Sequence, residues 1–155
     1  MSTVGVGALT FTTAASGAFV AGLDAGLIYN TFPFMGDGLV PPEYWDMKPK
    51  YKNLFDNDAA VQFNHRLLAT TTFCSIVGLW AFSRKFPLHR SAQKAVTSVL
   101  HMASLQVALG ITTLLLLVPV PWAAAHQSGS LTLLTLMTWF IHELKRAAPK
   151  SIKRL

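Results

Sequence analysis

Four long runs of apolar residues, separated by polar segments, dominate the chain. Each run is about 20 residues long, the length an α-helix needs to cross a hydrocarbon core of roughly 30 Å. A soluble helix bundle would carry charges along one face of each helix, and these runs nearly lack them. The pattern predicts an all-α, polytopic membrane protein, a bundle of four transmembrane helices over residues 4–29, 64–82, 97–118 and 124–144.

The composition agrees with a single membrane domain over residues 1–155. Hydrophobic residues make up 52% of the chain and charged residues 13%, whereas about 25% is usual for charged residues in a soluble domain. The net charge of +6 does not indicate a nucleic-acid partner, because the basic residues do not form a stripe with interleaved aromatic residues. They cluster at the ends of apolar runs, so the expected partner is membrane lipid.

The distribution of charge predicts the orientation in the membrane. Basic residues follow the second run (Arg84, Lys85, Arg90, Lys94) and fill a tail over residues 145–155, whereas the connection over residues 30–62 holds five acids and three lysines. Cytoplasmic or matrix loops of membrane proteins carry the excess of Lys and Arg. We therefore expect both termini on the inner side and the connection, which we call the outer loop, on the outer side.

The outer loop cannot be one continuous helix, because Pro33, Pro41, Pro42 and Pro49 interrupt it. Its aromatic residues suit the headgroup layer of a membrane. A connection of this length is often a functional lid. A second interpretation, a flap that only covers the helix ends, remains open.

Two histidines begin apolar runs on the predicted outer side, His65 in the second run and His126 in the fourth. Histidine is costly in hydrocarbon, so this pair is a candidate functional site. In a sequential four-helix bundle the second and fourth helices are parallel and diagonal, and their starts meet across the axis. Imidazole is a common axial ligand of haem iron. Two interpretations remain open at this point, a bis-histidine haem site and a pair of polar caps; zinc would need more ligands.

Neighbouring residues extend the candidate site. Arg66 would bind haem propionates as a bidentate donor, or it would reach the interface as a snorkelling side chain. Asp24 would accept a hydrogen bond from Arg66 or from a ligand imidazole, or it would form a structural ion pair. For His101 we expect a structural hydrogen bond with Gln106 or Ser104; a ligand on the inner side is the second interpretation.

Three segments carry a family resemblance: GAFVAGLDAGLIYNTFPFMG, FNHRLLATTT and QVALGITTLLLLVPVPWAAAHQSGSLTLLT. They resemble the C-terminal half of haem A synthase, in its mitochondrial and related bacterial form, over residues 13–145. The resemblance implies a role in converting haem O to haem A, by oxidation of a ring methyl to a formyl group, for cytochrome c oxidase assembly. It also implies that His65 and His126 are the axial ligands of a b-type haem cofactor, and that the substrate haem belongs to an N-terminal half.

The resemblance sets further expectations. It implies a mitochondrial inner membrane with the termini in the matrix, or a bacterial inner membrane. A complete member would have eight spans, so the chain is expected to be a fragment, a short isoform or a split half, and an incomplete oxidoreductase by itself. The electron donor is left open, and a homo-oligomer is compatible with the pattern. The alternatives are a non-catalytic bis-histidine b-type membrane cytochrome or assembly module, and a membrane scaffold without a cofactor.

Overall fold

A computed structural model describes residues 2–147 of the chain. Its four long helices are α1 (Thr3–Gly22), α2 (Asp58–Ser83), α3 (Arg90–Leu115) and α4 (Val120–Ala147). Short 3₁₀ turns lie at Ala25–Leu27, Pro42–Trp45 and Lys50–Leu54. The described residues hold no β-strand, apart from one isolated bridge between Met35 and Gly38. The predicted all-α fold class is confirmed. The tail beyond residue 147 lies outside the described residues.

Polar caps begin two of the helices earlier than hydropathy predicts. The side chain of Asn57 accepts a hydrogen bond from the backbone N–H of Ala60, so α2 begins at Asp58 instead of near residue 64. Nδ1 of His89 accepts from the backbone N–H of Ala92 in the same way, and α3 begins at Arg90 instead of near residue 97. Capping side chains satisfy N–H groups that the first turn leaves free. Because these caps are polar, an apolar run does not reveal them.

Two helices, α1 and α3, end earlier than hydropathy predicts. Helix α1 ends at Gly22, whereas the predicted span continued to residue 29. Asp24 breaks it with a left-handed conformation, φ 52° and ψ 23°, which Asp tolerates better than most residues. Helix α3 ends at Leu115, and the turn to α4 places Leu117 and Val118 at positive φ. A β-branched residue at positive φ is strained, so this turn is held by its surroundings.

The four helices form a ring in which sequential neighbours pack, α1 on α2, α2 on α3 and α3 on α4, and α1 closes the ring against α4. Helices α2 and α4 therefore lie diagonally across the bundle, as the sequence predicts. We call the end that bears residues 23–57 the loop end, and the end that bears residues 84–89 the basic end.

The hydrophobic core lies at the basic end. Its buried side chains come from the parts of the four helices nearer the basic end and from the middle of α3 and α4 (Val6, Ile76, Ala92, Ala95, Val96, Val99, Ala103, Leu133, Met137, Phe140). This cluster has no member from the helix segments of the loop end. The core cluster thus occupies only part of the length of the bundle.

Three helices, α1, α2 and α3, are long and apolar enough to cross a membrane by length and composition. Helix α4 is 28 residues long but carries polar side chains along much of its length. It packs closely against α3 after a short turn, and a short connection makes two helices antiparallel neighbours. The fold is consistent with the predicted helical membrane bundle.

The connection between α1 and α2 is a folded cover of the loop end. Asn53 is fully buried, and its amide donates to the backbone oxygens of Met47 and Lys50, both at 2.9 Å. Asn30 donates to the backbone oxygen of Leu114 at 2.9 Å, which joins the connection to the end of α3. These bonds give a proline-rich segment one defined shape.

Candidate functional site

His65 and His126 occupy matching positions on the two diagonal helices. His65 comes seven residues after the start of α2, and His126 six residues after the start of α4. At 1.5 Å per residue, both lie about 10 Å below the loop end of their helices. Both side chains are half-buried, and the two imidazoles lie within range of electrostatic interaction with each other. The structure thus brings together the two histidines that the sequence singles out.

Each imidazole lies against a glycine of the neighbouring helix. A Cβ atom added to Gly17 of α1 would lie 3.1 Å from Cε1 of His65, and one added to Gly110 of α3 would lie 3.0 Å from Cε1 of His126. Both glycines come five residues before the end of their helix. Glycine therefore lets ring and backbone approach closely at both positions, where a larger residue would push the imidazole aside by a few tenths of an ångström, and the pairs α1–α2 and α3–α4 repeat one arrangement.

A hydroxyl group orients His65. Oγ of Ser16 lies 2.8 Å from Nδ1 of His65 and donates to the backbone oxygen of Thr13 at 2.7 Å. The Thr13 carbonyl also interacts with the imidazole. Because the Ser16 hydroxyl proton is directed at the Thr13 carbonyl, its oxygen accepts from Nδ1–H of the neutral ring, and Nε2 keeps its lone pair. A metal-binding histidine needs this tautomer, in which one ring nitrogen donates a hydrogen bond and the other has a free lone pair.

Ser16 is not among the site residues that the sequence predicts. A hydroxyl residue directly before a glycine, in a helix otherwise rich in Ala and Gly, is a weak signal by itself. Its partner His65 is 49 residues away, so the pair exists only after α1 and α2 dock.

His126 is held less firmly. The backbone carbonyl of Gln106, four residues before Gly110, faces its ring, as Thr13 faces the ring of His65. Nδ1 of His126 is buried, however, and forms no hydrogen bond within residues 2–147. The amide nitrogen of Gln106 is also buried without a partner there. It packs directly on Gly129, so this glycine gives room to a glutamine side chain.

Arg66 ties the loop end together. Its guanidinium donates to the backbone oxygen of Tyr29 at 2.8 Å and, at 3.4 Å, to those of Pro33 and Phe34. Nε of Arg66 is buried and has no partner in the described part of the chain. The structure does not bring Asp24 to Arg66 or to an imidazole. The Asp24 side chain is exposed and makes no hydrogen bond or ion pair with described residues, because the break after α1 turns it outward.

The expected bond of His101 is absent from the described residues. His101 is exposed on α3, while Ser104 donates within its own helix to the backbone oxygen of Leu100. The exposure of His101 places it away from the site between His65 and His126.

A second histidine cluster lies at the basic end. Nε2 of His89 lies 3.3 Å from Oε2 of the buried Glu143, and Arg146 approaches the same oxygen at 3.7 Å. Nδ1 of His89 caps α3, so the proton of the neutral ring is on Nε2, facing the carboxylate. This cluster fixes α3 to α4 and is separate from the candidate site.

The residues at the loop end suit a large planar metal cofactor. Among residues 2–147, no group of three or more His, Cys, Asp or Glu side chains is arranged to hold a bare metal ion. Two imidazoles alone leave most coordination positions of a metal open, and the four nitrogens of a porphyrin would fill them. The apolar core stops short of this half of the bundle. Fold and site together define a helical membrane protein with two imidazoles at equal depth on diagonal helices.

The chain belongs to the COX15-CtaA family, described as cytochrome oxidase assembly protein, whose model matches residues 1–138. It is 51% identical over 142 residues to the mouse protein "Heme A synthase COX15", which covers 92% of this chain and 34% of the relative. It is 50% identical over 139 residues to "Heme A synthase" of Nitrosospira multiformis, covering 90% of this chain and 39% of the relative. No solved structure matches.

The chain spans about a third of the length of these relatives. Family membership and the three long apolar helices make it a multi-pass membrane protein of a family whose members handle haem. The family assignment made from the sequence, to haem A synthase, is confirmed.

Proposed function

We propose that the chain binds a b-type haem between His65 and His126 and serves in the synthesis of haem A as the half that holds the cofactor. In this proposal the activity is oxidation of a methyl group of haem O to a formyl group, and the substrate haem binds to a part of the longer relatives that this chain does not include. The observation that carries it is the pair of imidazoles at equal depth on diagonal helices, each against a glycine.

The protein side of the proposed site has three parts. His65 and His126 supply one imidazole nitrogen each, and Gly17 and Gly110 let the rings sit close to the neighbouring helices. Nε of Arg66, buried and unpaired within the described residues, would donate to a haem propionate, because a guanidinium is a strong partner of carboxylates. When bound, the haem supplies reversible one-electron chemistry.

The proposed location follows from the same relatives and from the charges. We place the helices in an inner membrane, mitochondrial or bacterial, with the basic end on the matrix or cytoplasmic side. Arg84, Lys85 and Arg146 lie at that end, and an excess of basic residues marks the inner side of a membrane.

An optical spectrum of the purified chain, expressed with an adequate haem supply, tests the haem site. We expect the bands of a low-spin, six-coordinate haem. His126→Ala should remove the low-spin signal, whereas the control His101→Ala, which changes an exposed histidine of α3, should leave it intact. A chain without haem bands, or an unchanged spectrum for His126→Ala, would contradict the proposal.

A second experiment tests the role in haem A synthesis. Cells that lack haem A synthase should regain haem A when this chain is supplied together with the remaining part of a longer relative. His65→Ala should abolish the rescue. A chain that binds haem but never supports haem A formation would instead be a non-catalytic cytochrome or assembly module.

A further inference from the structure

The two histidines of the proposed haem site are held unequally, although the helices around them repeat one arrangement. On each side a glycine lies against Cε1 of the ring, and a backbone carbonyl four residues earlier faces it. The residue directly before the glycine differs. It is Ser16 before Gly17, and Leu109 before Gly110.

This difference in sequence explains why His65 has a side-chain hydrogen-bond partner and His126 has none in the described chain. Ser16 lies 2.8 Å from Nδ1 of His65. A leucine cannot accept a hydrogen bond, and Nδ1 of His126 has no partner within residues 2–147. An unpaired buried nitrogen is unfavourable, and only packing and the facing Gln106 carbonyl orient the ring of His126.

We propose that Ser16 is a positioning residue that makes His65 the permanent haem ligand and leaves His126 as the ligand that small molecules can displace. This inference rests on the proposed function and deepens it. The chemical class of the displacing ligand is a small neutral haem ligand, such as carbon monoxide on ferrous iron or imidazole on ferric iron.

The hydrogen bond between Ser16 and His65 has two effects on the imidazole. A hydrogen bond from Nδ1–H to Ser16 holds the ring in one orientation, leaves the lone pair on Nε2, and increases the basicity of that nitrogen. A more basic, pre-oriented imidazole binds iron more tightly and favours the ferric state. Nδ1 of His126 forms no hydrogen bond with the described residues, so its imidazole lacks the added basicity that the bond to Ser16 gives His65. The iron–His126 bond is therefore the weaker one.

Haem retention by single-histidine variants is the first test. We expect His126→Ala to keep a five-coordinate, high-spin haem and His65→Ala to lose haem during purification. Carbon monoxide should bind the unmodified ferrous chain by replacing His126, so His126→Ala should bind it faster. Retention of haem by His65→Ala and its loss from His126→Ala would overturn the proposal.

Variants of the residue before each glycine test the role of Ser16. Ser16→Ala should accelerate haem transfer to apomyoglobin about tenfold or more, the range found when a partner of a ligand histidine is removed, and should raise the midpoint potential. Ser16→Thr keeps the hydroxyl and should restore both properties. The control Ser104→Ala removes a hydroxyl that bonds only within α3 and should change neither.

A variant that adds a hydrogen bond distinguishes the proposed role of Ser16 from loss of function through misfolding. Leu109→Ser places a hydroxyl at the position equivalent to Ser16, so it should slow carbon monoxide binding and lower the midpoint potential. If Ser16→Ala matches Ser104→Ala in transfer rate and potential while the unmodified chain binds haem normally, the role of Ser16 is refuted and the haem site stands. Absence of haem from the unmodified chain would refute both.

Discussion

Replacing Arg66 by methionine should release the connection between α1 and α2 from the loop end. The guanidinium donates to the backbone oxygen of Tyr29 at 2.8 Å, and its contacts with Pro33 and Phe34 are 3.4 Å long. A hydrogen bond from a charged donor contributes about 1.5–3 kcal/mol, and the two longer contacts add little. We therefore expect local opening to become easier by about 2 kcal/mol, or roughly 30-fold, since about 1.4 kcal/mol corresponds to a factor of ten.

Limited proteolysis measures this opening. Lys50 and Lys52 are exposed in the connection, and trypsin should cleave after them about 30 times faster in Arg66→Met when cleavage tracks the open population. A rate proportional to trypsin concentration verifies that regime. The control Arg84→Met removes an arginine at the basic end and should leave the rate unchanged.

Equal cleavage rates in Arg66→Met and the unmodified chain would refute this reasoning. They would mean that the asparagine bonds within the connection hold it without Arg66. A partial effect in Arg66→Lys is expected, because an ammonium group keeps the charge but cannot reproduce the planar fork.

Two further predictions concern a helix contact and a pH dependence. Gly110→Ala puts a methyl group 3.0 Å from Cε1 of His126. The ring must shift, at a cost of about 1–3 kcal/mol, so the low-spin haem signal should weaken. The control Gly78→Ala places its methyl group more than 4 Å from any described neighbour and should keep the signal. The hydrogen bond of Tyr29 to Glu43, 2.6 Å long, raises the pKa of Tyr29 and lowers the pKa of Glu43. Its stabilisation is present between these two titrations: it is lost as pH falls through the lowered Glu43 pKa and as pH rises through the raised Tyr29 pKa. Near-ultraviolet titration should show Tyr29 ionising at lower pH in Glu43→Gln, and identical curves would contradict the assignment.

The sequence was informative where the physical signal is local. Long runs without charges have few alternatives to a membrane helix, so the all-α fold class followed from hydropathy. The diagonal placement of His65 and His126 followed from helix order. Helix ends were less predictable: Asn57 and His89 extend α2 and α3 through polar caps, and a left-handed Asp24 ends α1 early.

Hydropathy, charge and motifs were therefore sufficient to predict the membrane helices, the family and the two histidines at one depth. Helix docking set the contact of Ser16 with His65 and left Nδ1 of His126 without a hydrogen-bond partner in the described chain. It also decided that Arg66 binds loop carbonyls instead of Asp24. The reason is that such contacts depend on how each helix is rotated about its axis, and in a nearly uniform apolar helix no periodic pattern fixes that rotation. Packing against the neighbouring helix fixes it.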